Sequence, residues 1–387
     1  MKKFLALILA LVMSLSLVAC GGTKEESKPA EPEKPAETEQ PAEEAGADFS
    51  VAMITDYGDI TDQSFNQTTY EACKAYCDAN GVQFSYYKPA GDSTAERVAM
   101  VEAAVDDGYT VVVMPGYAFG ETITQVADEY SDITFIALDV GEGDLGDYTL
   151  PSNVYCAVYQ EELCGYMAGY AAVKLGYTHL GFLGGMAVPA VVRYGYGFVQ
   201  GADAAATETG ADVTMEYVYG NQFWGDADIT AYMDHWYQTL GVEVVFACGG
   251  GIYASAAEAA AKVGGKVIGV DVDQAAIIDG GYGDGMTVTS AMKGLAPTVE
   301  HMLTEVAAGN FANYGGKIET LGLVSGDDPA ANYVQIPMES TQWSDSFSQD
   351  DYKALVKDMF DGKITVSNDI SAMPATSIAV NEYGNIK

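Results

Sequence analysis

Five short stretches carry side chains suited to holding a small polar guest. Thr55 to Gln67 reads TDYGDITDQSFNQ. Asp56 closes an apolar run, Ser64 is placed to cap the following helix, and Phe65 with Asn66 opens it. A ring beside an amide suits a flat heterocycle: the ring stacks on a face and the amide reads an edge. A capped loop with a packing Phe is the plain alternative. Phe135 to Asp139 reads FIALD, and Asp139 at a strand end either accepts from a ligand amine or hydroxyl or meets water. Tyr219 to Asp226 reads YGNQFWGD. Its Phe223 and Trp224 are costly to leave exposed, so one either completes an aromatic sandwich or packs into a core. Val267 to Gln274 reads VIGVDVDQ, and a carboxylate there, Asp271 first and Asp273 beside it, grips vicinal hydroxyls. An Asp-x-Asp pair also suits Mg²⁺, but no phosphate cradle accompanies it. Lys293 ends the apolar run TVTSAMK (287–293) and calls for a carboxylate partner, Asp271 or Asp139, or a ligand oxygen.

Catalytic patterns are missing. The sequence holds no GxSxG, Walker loop, HExxH or GxGxxG, and its three histidines, His179, His235 and His301, are scattered. Acid–base work by carboxylates alone is the one enzymatic route left.

The elements that must carry these residues alternate strand and helix. Apolar runs at 49–54, 82–87, 110–114, 133–140, 179–183, 213–219, 243–248, 267–272 and 287–292 are separated by amphipathic stretches. That rhythm means βαβ units and parallel sheets covered on both faces. The body from residue 49 is too long for one simple core, so an α/β architecture with two lobes, each with a sheet of about five or six strands, is expected. In such sheets ligands bind beyond the carboxyl ends of the strands, and every stretch above sits there.

Composition narrows the partners. The whole chain carries a formal charge of −37, and the body keeps 13 of its 18 Lys+Arg and 46 of its 55 Asp+Glu, a charge of −33. Nucleic acid, which needs a basic surface, is excluded as a partner. Cys73, Cys77, Cys156, Cys164 and Cys248 are an odd set without zinc-ligand spacing, expected to be small buried apolar residues; neither a metal nor a cofactor is expected. Met1 to Cys20 has the n-region and h-region of a secretory signal ending Leu-Val-Ala-Cys, a bacterial lipobox. Residues 1–19 are therefore expected to be removed, Cys20 to be lipidated, and the Pro/Glu stretch 20–48 to be a disordered leash. This puts the protein on the outer face of a bacterial cell membrane.

ITDYGDITDQSFNQ (54–67), AGYAA (168–172), GFVQGA (197–202), VIGVDVDQ (267–274), TSAMKG (289–294) and DGKITV (361–366) stand in an order that resembles the basic membrane protein family, the lipoprotein substrate-binding subunits of ABC importers related to the purine nucleoside receptors. The resemblance implies a type I periplasmic-binding-protein fold: two doubly wound lobes, 49–152 plus 286–320 and 153–285 plus 321–387, with a ligand cleft between them. It implies a monomer that binds a nucleoside, a purine one first, and delivers it to an ABC permease; another small neutral ligand, a sugar or signalling molecule, is the alternative. By the same resemblance Asp56 and Asn66 would bond the ligand, Phe65 would stack on the base, and Asp139 would touch a polar edge. Phe223 or Trp224 would stack opposite, Gly251 would allow close backbone approach, and Asp271 with Lys293 would hold the ribose. The stretch 367–387 continues past the family pattern.

Overall fold

The computed structural model describes residues 49–387; the expected signal 1–19, the lipidated Cys20 and the linker 20–48 lie outside the described residues. Thirteen strands form two sheets. They are β1 (Ser50–Ile54), β2 (Gln83–Tyr87), β3 (Val111–Pro115), β4 (Thr134–Leu138), β5 (Val154–Tyr159), β6 (His179–Gly184), β7 (Thr214–Tyr219), β8 (Val244–Cys248), β9 (Lys266–Asp271), β10 (Thr287–Lys293), β11 (Lys317–Leu321), β12 (Val334–Gln335) and β13 (Ala379–Asn385). The first sheet runs β11-β5-β4-β3-β1-β2 and the second β12-β10-β9-β8-β6-β7-β13. All pairings are parallel except β10 with β12. The central strands are apolar runs because helices cover both faces: Val111, Val112, Val113 and Met114 are all buried.

The sheets redraw the expected boundaries. The run 153–159 becomes β5 and joins the first sheet, paired to β4 and β11, whereas the expected division put it in the second lobe. β10, expected in the first lobe, pairs with β9 in the second sheet. The helix Leu295–Ala307 returns to the first sheet's side, where Tyr76 of the helix Phe65–Asn80 donates to the Leu303 carbonyl at 3.1 Å. The chain therefore passes between sheets after Tyr159, after Lys293 and after Leu321, and two of those passages fall beside site residues.

The helices Glu161–Lys174 and Pro189–Thr209 press together on glycines. A Cβ on Gly169 would lie 2.1 Å from the Phe198 carbonyl oxygen, and one on Gly197 2.1 Å from that of Glu162. Only a missing side chain permits this approach. The contact explains the small-residue stretches AGYAA and GFVQGA, and it fixes Glu161 and Arg193 side by side. The five cysteines of the body are free and buried. Among the described residues no helix is long and apolar enough to cross a membrane.

Candidate functional site

The loops at the carboxyl ends of the two sheets face each other and enclose a cavity of ≈ 930 Å³. Asp56, Phe65, Asn66, Asp139, Phe223, Trp224, Gly251, Asp271 and Lys293 all line it. These nine, up to 237 positions apart in the chain, meet because the ends of β1, β4, β7, β8, β9 and β10 open on this one space.

Lys293 is the centre of the charge arrangement. Its Nζ lies 2.5 Å from Asp139 Oδ2 and 3.6 Å from both Asp271 Oδ1 and Glu161 Oε1. The ammonium also sits over the Phe65 ring, 4.7 Å from its centroid. Asp139 follows β4 and Asp271 ends β9; both take left-handed backbone, φ 60° and 66°, which is costly outside glycine and turns each carboxylate toward the lysine. Burial alone would depress the Lys293 ammonium, but Asp139, Asp271 and Glu161 outweigh it and hold the group charged. Burial pushes the Asp139 carboxyl up to about 6 even against Lys293. One lysine serves three buried carboxylates, and Arg193 completes the balance, its Nε donating to Glu161 Oε2 at 2.7 Å.

The first-sheet loop arranges its acids differently from the expectation. Ser64 does not cap the helix Phe65–Asn80 with its side chain. Asp62 does so, accepting from the backbone N–H groups of Ser64, Asn66 and Gln67 at 2.9–3.0 Å. The Ser64 hydroxyl is thereby free to donate to Asp271 Oδ2 at 2.5 Å, across to the second sheet. Asp56 takes the N–H groups of Tyr57 and Gly58, each at 2.6 Å; burial still raises its carboxyl. Two buried acceptors on the cavity wall, Asn66 Oδ1 and Asp139 Oδ1, have no partner within the protein. Each calls for a donor from a guest.

The aromatic pair divides its work. Phe223 packs against the glycine turns Gly185 and Gly249, where added Cβ atoms would come within 2.3 and 2.8 Å of its Cδ1. Its ring centroid lies 6.4 Å from that of Tyr57. Trp224 leaves 54% of its surface exposed and so offers a free face. Gly251 donates its N–H to the Phe223 carbonyl at 2.8 Å but has room for a Cβ; the absolute need for glycine falls instead on Gly250, at φ 50° with a Cβ position 2.7 Å from that same carbonyl. Asp273 stays away from the cavity wall, accepting from Ser340 Oγ at 2.7 Å.

Sequence reading missed Glu161, Arg193 and Tyr194, which lie inside helical patterns that look like scaffold. An acid at a helix start next to a strand end was the one available signal. It also missed Gln274, whose Nε2 donates to the Gln63 carbonyl at 3.0 Å between the two sheets.

A family model described as the PnrA-like substrate-binding protein of ABC transporters matches residues 49–356. The chain is 28% identical over 337 residues to a CD4+ T-cell-stimulating antigen of Listeria innocua, covering 82% of this chain and 87% of that one. It is 26% identical over 336 residues to the ABC transporter nucleoside-binding protein BmpA of Lactococcus lactis, covering 82% and 89%. Among solved structures, an ABC transporter solute-binding protein of Aeropyrum pernix aligns with a TM-score of 0.63 at 21% identity, covering 83% of this chain and 88% of that one. One from Conexibacter woesei aligns with a TM-score of 0.62 at 22% identity, covering 83% and 99%. At that identity the structures speak for the fold: α/β with parallel sheets, of the periplasmic-binding-protein type.

Proposed function

The chain belongs to the PnrA-like family of ABC transporter substrate-binding proteins, and from that premise we propose that it captures a nucleoside, purine nucleosides first, and delivers it to an ABC permease from a lipid anchor at Cys20 on the outer face of the cell membrane. The family is one of binding proteins rather than enzymes, so no catalytic step is assigned. A single observation carries the reading: one cavity brings together a stacking ring, unpartnered buried acceptors and a lysine among carboxylates. Phe65 and the open face of Trp224 are suited to sandwich the base. Asn66 and Asp56 read its edge, with Asp139 taking a further donor. Asp271 and Lys293 hold the ribose hydroxyls. The similarity to a protein named as nucleoside-binding agrees with this assignment, and the lipobox at Leu17–Cys20 with the anchor.

Titration calorimetry on the full chain in detergent, with guanosine, inosine, adenosine and uridine, tests the proposal. At least one purine nucleoside is expected to bind with Kd below ~100 μM, about 5.5 kcal/mol. Failure of all four would refute it.

A further inference from the structure

The cavity is roomy, and its two ends differ in chemistry. At ≈ 930 Å³ it sits near the top of the range of about 300–1,000 Å³ usual for pockets of drug-sized ligands. It runs along the first sheet in strand order, from Lys88 beyond β2 and Asp56 beyond β1, past Asp139 beyond β4, to β5 and β11. The stretch from β1 to β4 holds the charged and hydrogen-bonding groups described above. Toward β5 and β11 the lining gains apolar side chains, Val158, Val188, Val191, Ile318 and Ile370, beside the polar Glu142, Asp144 and Thr320.

Two of these side chains stand on neighbouring strands and two on one helix start. Val158 stands opposite Thr320 in the β5–β11 register, two residues beyond Ile318. Gly141 lies beside Val158, its Cβ position at an ordinary contact distance of 3.5 Å from Val158 Cγ1. Val188 and Val191 come from the start of the helix Pro189–Thr209. Ile370, 37% exposed, belongs to a segment outside the family match of 49–356. That segment is held to the helix Pro189–Thr209 by Ser377 N–H and Oγ, which both donate to Asp203, and to the second sheet by β13 lying parallel to β7.

We propose, resting on the nucleoside reading above, that this end is a subsite for an uncharged apolar substituent carried on the 5′ carbon of the nucleoside. The direction follows from the polar groups. With the base edge at Asp56 and Asn66 and the ribose hydroxyls at Asp271 and Lys293, the part of the ligand that continues past Asp139 toward β5 is the 5′ carbon. The wall there rewards burial of apolar surface. Glu142 and Asp144 line the same end, and Arg193, the cation nearest to them along the wall, is engaged by Glu161. A 5′-phosphate therefore meets repulsion without a free counter-charge. Of the apolar residues named here, only Ile370 lies outside the matched family region.

The test is calorimetry on the full chain with adenosine, 5′-deoxy-5′-methylthioadenosine, AMP and N6-methyladenosine. The methylthio compound is expected to bind at least about fivefold more tightly than adenosine, and AMP more weakly than adenosine. Ile370→Asp and, separately, Ile318→Thr are expected to abolish the methylthio advantage and leave adenosine affinity unchanged. If adenosine binds and the methylthio compound binds no better, or if AMP or only the N6-methyl compound gains, the subsite is refuted while the nucleoside reading stands. If neither adenosine nor the methylthio compound binds, the subsite is refuted, and the nucleoside reading falls with it only if guanosine, inosine and uridine also fail.

Discussion

Ser64 Oγ donates to Asp271 Oδ2 at 2.5 Å, joining the helix start beyond β1 to the end of β9 in the other sheet. With Gln274 Nε2 on the Gln63 carbonyl at 3.0 Å, it forms a latch across the mouth of the cavity. Opening of such a cleft precedes release of a bound guest, so the latch controls dissociation. Ser64→Ala removes a charge-assisted bond of roughly 1.5–3 kcal/mol. Stopped-flow binding of a nucleoside is expected to show dissociation about tenfold or more faster with little change in association. An unchanged dissociation rate would show that the latch holds nothing.

Lys293 is the only cation within 4 Å of Asp139 and Asp271 among the described ion pairs. Lys293→Met therefore leaves buried carboxylates uncompensated and is expected to cost about 3–5 kcal/mol in urea unfolding. Adding Asp139→Asn should recover part of that loss, because one of the orphaned charges disappears. Two losses that simply add would contradict the coupling.

Burial raises two folded-state carboxyls well above their ordinary values: Glu162 from 4.5 to about 7 and Asp139 from 3.8 to about 6. A carboxyl raised in the folded state binds its proton more strongly there than in the unfolded chain. Its contribution to stability is full below its ordinary value and is lost as pH rises through the folded value. The ligand-free protein should therefore melt at a higher temperature at pH 5.5 than at pH 8. Glu162→Gln should stabilise it at pH 8 by roughly 1–3 kcal/mol and flatten the profile near pH 7. A Tm that falls from pH 8 to pH 5.5 would contradict this account of the buried pair.

The helix pair behind the site tolerates no added methyl at its contact. A Cβ at Gly169 would stand 2.1 Å from the Phe198 carbonyl oxygen, and neither partner is a flexible side chain. Gly169→Ala is expected to cost about 1–3 kcal/mol or more in denaturant unfolding. Because the same contact sets Glu161 beside Arg193, nucleoside affinity should fall as well. Gly280→Ala, whose Cβ meets nothing within 4 Å and which lies off the cavity wall, should lower neither.

Much of this was legible because the pattern was strong and local. Buried parallel strands such as VVVMP (111–115) and VIGVD (267–271) announce themselves as apolar runs, and strand ends locate the cleft without further information. That is why Asp56, Phe65, Asn66, Asp139, Asp271 and Lys293 could be named in advance and fall on one cavity. Three kinds of feature were not legible. β10 changes sheets because membership depends on which neighbour a strand finds, and TVTSAMK reads alike for either; β5 (VYCAVY) was not among the expected strands at all. Ser64 lost its capping role to Asp62, since a competing acid two residues upstream decides the cap only once the loop has folded. Glu161 and Arg193 sat unnoticed inside helices, their meaning supplied by a glycine contact between segments distant in sequence.

The claim at the centre is that one guest fills this cavity with its base on Phe65 and its sugar on the Asp271–Lys293 pair. A crystal structure of the protein grown with guanosine tests it most directly. The account predicts the purine stacked between Phe65 and Trp224, an edge donor on Asn66 or Asp139, and ribose hydroxyls within hydrogen-bond distance of Asp271 and Lys293. A nucleoside bound elsewhere, or seated here with its ribose away from Asp271 and Lys293, would contradict it.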